Sequence, residues 1–306
     1  MHQQLPTGIH VLERGWLSSN NVVMLGQHCA ALVDSGYTTH SDQTLALVEH
    51  ALGGLPLDLL VNTHLHSDHC GGNSALQARY SALHTKIPPG EAAAVQAWDE
   101  DKLSYRATGQ ACPRFKFNAV LEPGASVDMG NWAWQVHAAP GHDPHAVVLF
   151  EPDSRVLISG DALWERGFGV VFPEMWGEPS FDEVAATLDL IESLRPSIVI
   201  PGHGPAFDRV DAALVNARER LNAFVQSPDK HTRYAIKVLI KFKLLDAKRI
   251  SRDALDTWLC SADYLELVRK RFAPEQHRTD WSTELLNELI RSGAAREEGD
   301  VIFDSP

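Results

Sequence analysis

Thirteen residues, Val61 to Asn73, constrain this chain more than any other stretch: Val-Asn-Thr-His-Leu-His-Ser-Asp-His-Cys-Gly-Gly-Asn. Three imidazoles and one carboxylate, from His64, His66, Asp68 and His69, fall within six positions. An apolar run, Leu57, Leu59, Leu60 and Val61, precedes them and reads as a short buried strand. Gly71 and Gly72 then break the pattern, and a helical run follows from Ser74 to Tyr80. The four polar groups are therefore expected on a tight loop at a strand end, where scaffolds commonly carry chemistry. Imidazoles two apart in an extended segment point the same way, so His64 and His66 can grip one ion. Asp68 and His69 come after the chain has turned and can reach a second. A single His-x-His is a weak signal in a chain with 15 His. Four such groups together are a strong one, because burying them without partners would be costly. The paired glycines are expected to let backbone approach the ions closely.

The same arrangement recurs downstream. Trp132 to His137 alternates as a strand and leads into Pro140-Gly-His-Asp-Pro144, which presents His142. Val156 to Ile158 leads into Ser159-Gly-Asp-Ala162, which presents Asp161, and Ile198 to Ile200 into Pro201-Gly-His-Gly-Pro205, which presents His203. A strand stopping at Gly or Pro and showing His or Asp would mean little alone. Repeated, it completes a set of seven donors, His64, His66, Asp68, His69, His142, Asp161 and His203, a number that suits two ions. Neutral imidazole and carboxylate suit zinc, iron or manganese. Asp34 ends the run Ala30 to Val33; it is either a group that hydrogen-bonds a metal ligand or an Asp in a turn before Gly36.

At 306 residues and 44% apolar content, the chain supports one large domain or two ordinary ones. A net charge of −13 speaks against a general polyanion binder. The charge is uneven: residues 228–306 hold 14 basic and 14 acidic side chains, so the excess lies in residues 1–227. Four scattered Cys suit a reducing compartment, and no signal segment or membrane span is visible, so a cytoplasmic protein is expected. Short strands (Ile9 to Leu12, Asn21 to Leu25, Ala30 to Val33) precede a helix from Ser41 to Leu52. Asp99 to Phe117 has no clean period and is either an insertion over the site or an irregular connection. Asn118 to Leu157 reads as a second β-rich block, followed by helices from Phe181 to Leu194 and Arg209 to Phe224. Ser227-Pro228-Asp229 is the expected boundary between domains 1–227 and 228–306. Beyond it come helices at His231 to Leu245, Ser251 to Leu259 and Ser282 to Ser292, then a hairpin.

The donor set resembles the metallo-β-lactamase superfamily, over roughly residues 8–225. The resemblance rests on Leu-Val-Asp-Ser-Gly36, His64-x-His66-x-Asp68-His69, Pro-Gly-His142, Gly-Asp161 and Pro-Gly-His203-Gly. It implies an α/β fold: an αβ/βα four-layer sandwich with metals at one edge, followed here by a small helical, winged-helix-like domain. It also implies that His64, His66 and His142 hold one ion, that Asp68, His69 and His203 hold another, and that Asp161 bridges them. Asp at 161 looks more like the glyoxalase II-type thioesterases, lactonases and nucleases than the antibiotic-hydrolysing members. The expected activity is hydrolysis of a small thioester, ester or lactone by a hydroxide bridging two divalent ions, zinc first, with iron or manganese as alternatives. Asp68 is the catalytic candidate, as a ligand first and a proton carrier second. Trp164, Phe168, Phe172 and Trp176, directly after a ligand, are the candidate substrate wall; His137 and His145 have no assigned role, and Cys70 reads as packing. The rival reading is an endoribonuclease or phosphodiesterase, motivated by Lys230, Arg233, Lys237, Lys241, Lys243, Lys248, Arg249 and Arg252. A small-molecule partner is expected ahead of nucleic acid, with no membrane contact and with homo-oligomerisation open.

Overall fold

The computed structural model describes residues 4–305; Met1 to Gln3, part of the leader reading, and Pro306 lie outside them. Two sheets face each other. The first pairs six strands in chain order: β1 (Ile9–Leu12), β2 (Asn21–Leu25), β3 (Ala30–Val33), β4 (Leu57–Val61), β5 (His84–Ile87) and β6 (Ala119–Val120). It is antiparallel from β1 to β3 and parallel from β3 to β6. The second contains β7 (Ser126–Met129), β8 (Trp132–Ala138), β9 (Val147–Glu151), β10 (Val156–Gly160) and β11 (Ile198–Pro201), in the order β11-β10-β9-β8-β7. Only its β10–β11 pair is parallel.

Strand geometry sends successive side chains to opposite faces, and here both faces are covered. Val22, Met24, Val33 and Val61 meet Trp134, Val136, Leu149, Ile158 and Ile200 between the sheets. The alternate residues Val23, Leu32 and Leu60 pack under Val48, Leu52 and Leu76 of helices Ser41–Leu52 and Asn73–Arg79. On the far side Val148, Leu157 and Val199 pack against Leu188 and Ile191 of helix Phe181–Leu194 and Leu214 of helix Val210–Gln226. Burial on both faces explains why these strands read as continuous apolar runs. The layering is the αβ/βα sandwich expected from the sequence.

Local differences from the sequence reading are instructive. Ala119–Val120 opens the second β-rich block in sequence but pairs with β5 of the first sheet. The aperiodic segment forms one short helix, Tyr105–Thr108, and its Leu103, Tyr105, Cys112 and Phe115 pack with Leu65, Cys70 and Ile87 and with Ala94 and Val95 of the preceding helix Ala92–Ala97. Beyond residue 227 there are four helices, Pro228–Ala247, Arg252–Ser261, Asp263–Phe272 and Arg278–Arg291. Strands β12 (Arg249–Ser251), β13 (Ala295–Glu298) and β14 (Val301–Asp304) form a small antiparallel sheet in the order β12-β14-β13. Helix Asp263–Phe272 and strand β12 have no counterpart in the sequence reading. Ser251 caps its helix by accepting from the Ala254 N–H at 3.2 Å. The C-terminal core joins Leu239, Leu255, Leu265 and Leu286 to Val170 and Met175 of the sandwich, so the two regions are packed together.

Candidate metal centre

The donor-bearing turns leave β4, β8, β10 and β11. Strands β8, β10 and β11 run the same way within their sheet, so His142, Asp161 and His203 emerge at one edge. There they meet the β4 loop. His64, His66 and His142 bring one nitrogen each within 4.8 Å of one another, and so do the donor atoms of Asp68, His69 and His203. Asp161 spans the two groups: Oδ2 lies 3.4 Å from His142 Nε2, and Oδ1 lies 3.3 Å from His69 Nε2 and 3.9 Å from His203 Nε2. Gly202 has to be glycine, because a Cβ there would overlap Asp161 Oδ1 and the His69 ring. Gly71 and Gly72 correct the sequence reading. They let the short helix Ser67–Cys70 press against the backbone of Ser35, Gly36 and Thr38, rather than letting backbone reach an ion.

Asp34 organises the cup from behind. It is buried at the end of β3 with φ of 59°, a left-handed conformation that a non-glycine residue adopts at a cost. Its Oδ1 accepts the Thr63 N–H at 2.9 Å; its Oδ2 accepts the Thr63 hydroxyl and His69 Nδ1–H, both at 2.8 Å. Having donated to Asp34, the Thr63 hydroxyl is free to accept from His64 Nδ1–H at 3.2 Å. His142 Nδ1–H donates to the Val170 carbonyl at 2.5 Å, and His66 Nε2 faces Asp143 Oδ2 at 3.7 Å. The hydrogen bonds at His64, His69 and His142 engage Nδ1 and leave Nε2 aimed into the cup. His64 Nε2 lies 3.1 Å from His66 Nδ1, which lies 2.8 Å from His142 Nε2. Three ring nitrogens so close need a shared proton or a cation among them. His69 Nε2 is likewise buried without a hydrogen-bond partner. The residues therefore fit divalent cations.

The electrostatics agree. Burial, then neighbouring imidazoles, hold His64 well below the ordinary histidine pKa; burial also lowers His66 and brings His142 to about 4. These rings stay neutral, the form that binds metal. Burial alone would raise Asp161 and Asp68, but His69 and His203 outweigh it and keep both ionised. Burial also opposes charge on His69, yet Asp161, Asp34 and Asp68 prevail and raise its pKa well above normal. A divalent cation among these carboxylates would replace that proton.

Outside the cup lies a cavity of about 840 Å³, lined by Trp164, Phe172 and Trp176 among others. Trp164 Nε1–H donates to Asp161 Oδ1 at 3.2 Å, and Phe172 meets the His66 ring edge-on at 5.5 Å. Phe168 departs from expectation: it is 1% exposed, packs in the core with Phe224, and does not line the cavity. One turn after Trp164 its side chain points back into the sandwich. His145 lines the cavity, whereas His137 sits on β8 beside Gln135 at 3.2 Å. Cys70 is buried beside Tyr105 and Cys112, and burial raises its thiol pKa, which suits packing. Sequence reading missed Trp16, stacked on the His203 ring at 5.3 Å, and Asn20, whose amide donates to the Pro201 and Gly204 carbonyls and holds that turn. Nothing periodic marks either residue. Of the basic run, Arg233 pairs with Glu284 and Glu288, Lys237 with Glu288, Lys241 with Asp304 and Arg252 with Glu297. No helix among the described residues is long and apolar enough to cross a membrane.

Known proteins are similar to this chain in sequence and in fold. The sequence pattern of the metallo-beta-lactamase superfamily matches residues 14–203. A hydroxyacylglutathione hydrolase of Brucella anthropi is 30% identical over 182 residues, 56% of this chain and 55% of that protein. The chain thus spans about half the length of the curated relatives it first matches. Among solved structures, the metallo-beta-lactamase family protein TTHA1429 of Thermus thermophilus superposes with a TM-score of 0.59 at 19% identity, covering 98% of this chain and 100% of its own. TTHA1623, solved in a di-iron-bound form, gives 0.55 at 26% identity, covering 68% of this chain and 98% of its own. With the pattern matched across most of the sandwich and its donors gathered at one edge, the chain belongs to the metallo-β-lactamase superfamily.

Proposed function

We propose that this chain is a metal-dependent hydrolase that holds two divalent cations and cleaves a small thioester, ester or lactone. The observation that carries the reading is Asp161, whose two oxygens face two separate donor groups. His64, His66 and His142 would hold one cation, Asp68, His69 and His203 the other, with zinc preferred over iron or manganese for this donor set. The di-iron-bound form of TTHA1623 supports a paired site without choosing the metal. When bound, such cations supply a water acidic enough to ionise near neutral pH and a Lewis acid for the substrate oxygen. The chain's own part is to hold the donors still. Asp34 and Thr63 orient His64 and His69, and the Val170 carbonyl orients His142. Asp68 Oδ2 lies 3.1 Å from His203 Nε2 while its side chain also borders the cavity, so it can hold a cation and receive a proton from the product side.

The hydroxyacylglutathione hydrolase relatives favour acyl hydrolysis. The nucleic-acid reading loses its motive, because the basic run is largely spent on internal ion pairs. We take the C-terminal region from residue 228, winged-helix-like in its small sheet, as a separate unit that walls the cavity. Four free thiols fit a cytoplasmic setting. The test is a metallated sample against a panel of neutral esters, lactones and thioesters. Hydrolysis that disappears with chelator and returns with zinc is expected; a fully metallated chain inert on the whole panel would remove the reading.

A further inference from the structure

The cavity beside the cup is larger than the reaction needs. At about 840 Å³ it lies near the top of the roughly 300–1,000 Å³ typical of small-molecule sites. An acetyl-sized group would leave most of it empty. Part of its lining is apolar and comes from beyond residue 227: Val238, Phe242 and Leu245 of helix Pro228–Ala247. Ala94 and Ala97 of helix Ala92–Ala97 add apolar lining.

The charge of the walls is equally informative. Six carboxylates border the cavity, from Asp68, Glu91, Asp99, Asp143, Asp161 and Glu178. Two lysines do so, and each already faces a carboxylate. Lys241 is held by Asp304 at 2.6 Å and donates to the Ala294 and Ser305 carbonyls; Lys102 lies 3.8 Å from Asp99. Glu91 Oε2 is buried with no hydrogen-bond partner. Asp68 and Asp161 belong to the cup, where cations would offset them; beyond it the walls offer an anionic substrate two lysines and, among the described residues, no arginine.

From this, and resting on the hydrolase reading above, we infer that the substrate is a neutral ester or lactone bearing a medium-length apolar acyl chain. Its carbonyl lies at the cup and its tail runs to the apolar lining from helix Pro228–Ala247. The walls give the charged groups of an anionic thiol carrier such as glutathione or coenzyme A little counter-charge. The C-terminal region thereby sets chain length, and Val238 and Phe242 act as specificity residues that never touch the reacting atoms.

The test uses the full chain with both cations loaded and p-nitrophenyl esters of two, six and ten carbons. Each methylene buried on an apolar wall is worth about threefold to fourfold, so kcat/KM is expected to rise at least roughly tenfold from two to ten carbons. Val238→Trp should shift the preference to shorter chains and Phe242→Ala to longer ones. Independently, decanamide should quench the tryptophan fluorescence of the unloaded chain, while acetamide should not. Val238→Trp should weaken that binding, and far-ultraviolet dichroism reports whether either variant has failed to fold. Hydrolysis with a flat chain-length profile and no decanamide binding overturns the inference and leaves the hydrolase reading standing. Decanamide binding without hydrolysis of any ester does the reverse.

Discussion

The cation cup and the far wall of the same cavity are built in opposite ways. In the cup, each donor is held by something behind it: His69 by Asp34, His64 by Thr63, His142 by the Val170 carbonyl. These supports are buried and close, so a displaced atom leaves a polar group unpaired. In the far wall, Val238 packs on the C-terminal core and Phe242 meets the Tyr37 ring edge-on at 5.0 Å, contacts made without hydrogen bonds. The cup is thus geometrically specified and intolerant. The wall is a volume that can be reshaped. An enzyme whose chemistry must stay fixed while its substrate range drifts would separate the two in this way.

The largest effect that would sharpen this contrast belongs to Asp161. Asp161→Ala should cost at least roughly a thousandfold in kcat/KM, beyond the roughly 10–100-fold typical of supporting groups, and should lower the metal content of the purified chain. Activity and metal content near the parent's would break the contrast at its centre. Next comes the packing behind the wall. Leu286 is fully buried in the C-terminal core, so Leu286→Ala should destabilise the chain by about 2–5 kcal/mol in urea titrations, with metal stoichiometry unchanged in the folded protein. Loss of cation on this substitution would mean that the two regions are not independent.

A smaller effect is expected behind the cup. Asp34→Asn should weaken cation affinity roughly 10–100-fold, measured by competition with a chromophoric chelator, with the fold retained. Undiminished affinity would mean that the cup holds its shape without this support. The smallest lies where the C-terminal region meets the sandwich, in a histidine that is no donor. His231 packs between Phe181 and Phe224 and accepts the Val171 N–H at 3.3 Å. Burial, with Arg220 adding to it, lowers its pKa to about 4. The native state therefore keeps it neutral over a range where the unfolded chain, near 6.5, takes up a proton. Stability should be full above about 6.5 and fall as pH drops toward about 4. His231→Gln should flatten that slope, and an unchanged slope would place the pH dependence elsewhere.

The same contrast decides what could be read in the sequence. The seven donors were legible because each sits at a strand end, marked by Gly or Pro within a few residues. That signal is local. The sandwich was legible because strands buried on both faces, such as Val147–Glu151, leave unbroken apolar runs. Asp34 stood out at a strand end, yet only tertiary structure shows it reaching His69, 35 positions away. The cavity wall was hidden for a similar reason. Val238 and Phe242 sit on a helix whose apolar residues read as ordinary core, and nothing local says that part of that face borders empty space. Phe168 fails in the other direction: an aromatic among aromatics after a ligand turned out to plug the core. The paired lysines and arginines of the C-terminal region looked free because their acidic partners lie as far away as Asp304.

The account depends most directly on two cations lying side by side. Crystals of the chain loaded with zinc, measured at the zinc absorption edge, should show two anomalous peaks roughly 3.5–4 Å apart, with Asp161 between them and His64, His66 and His142 on one, Asp68, His69 and His203 on the other. One peak, or none after chelation and reloading, would contradict it.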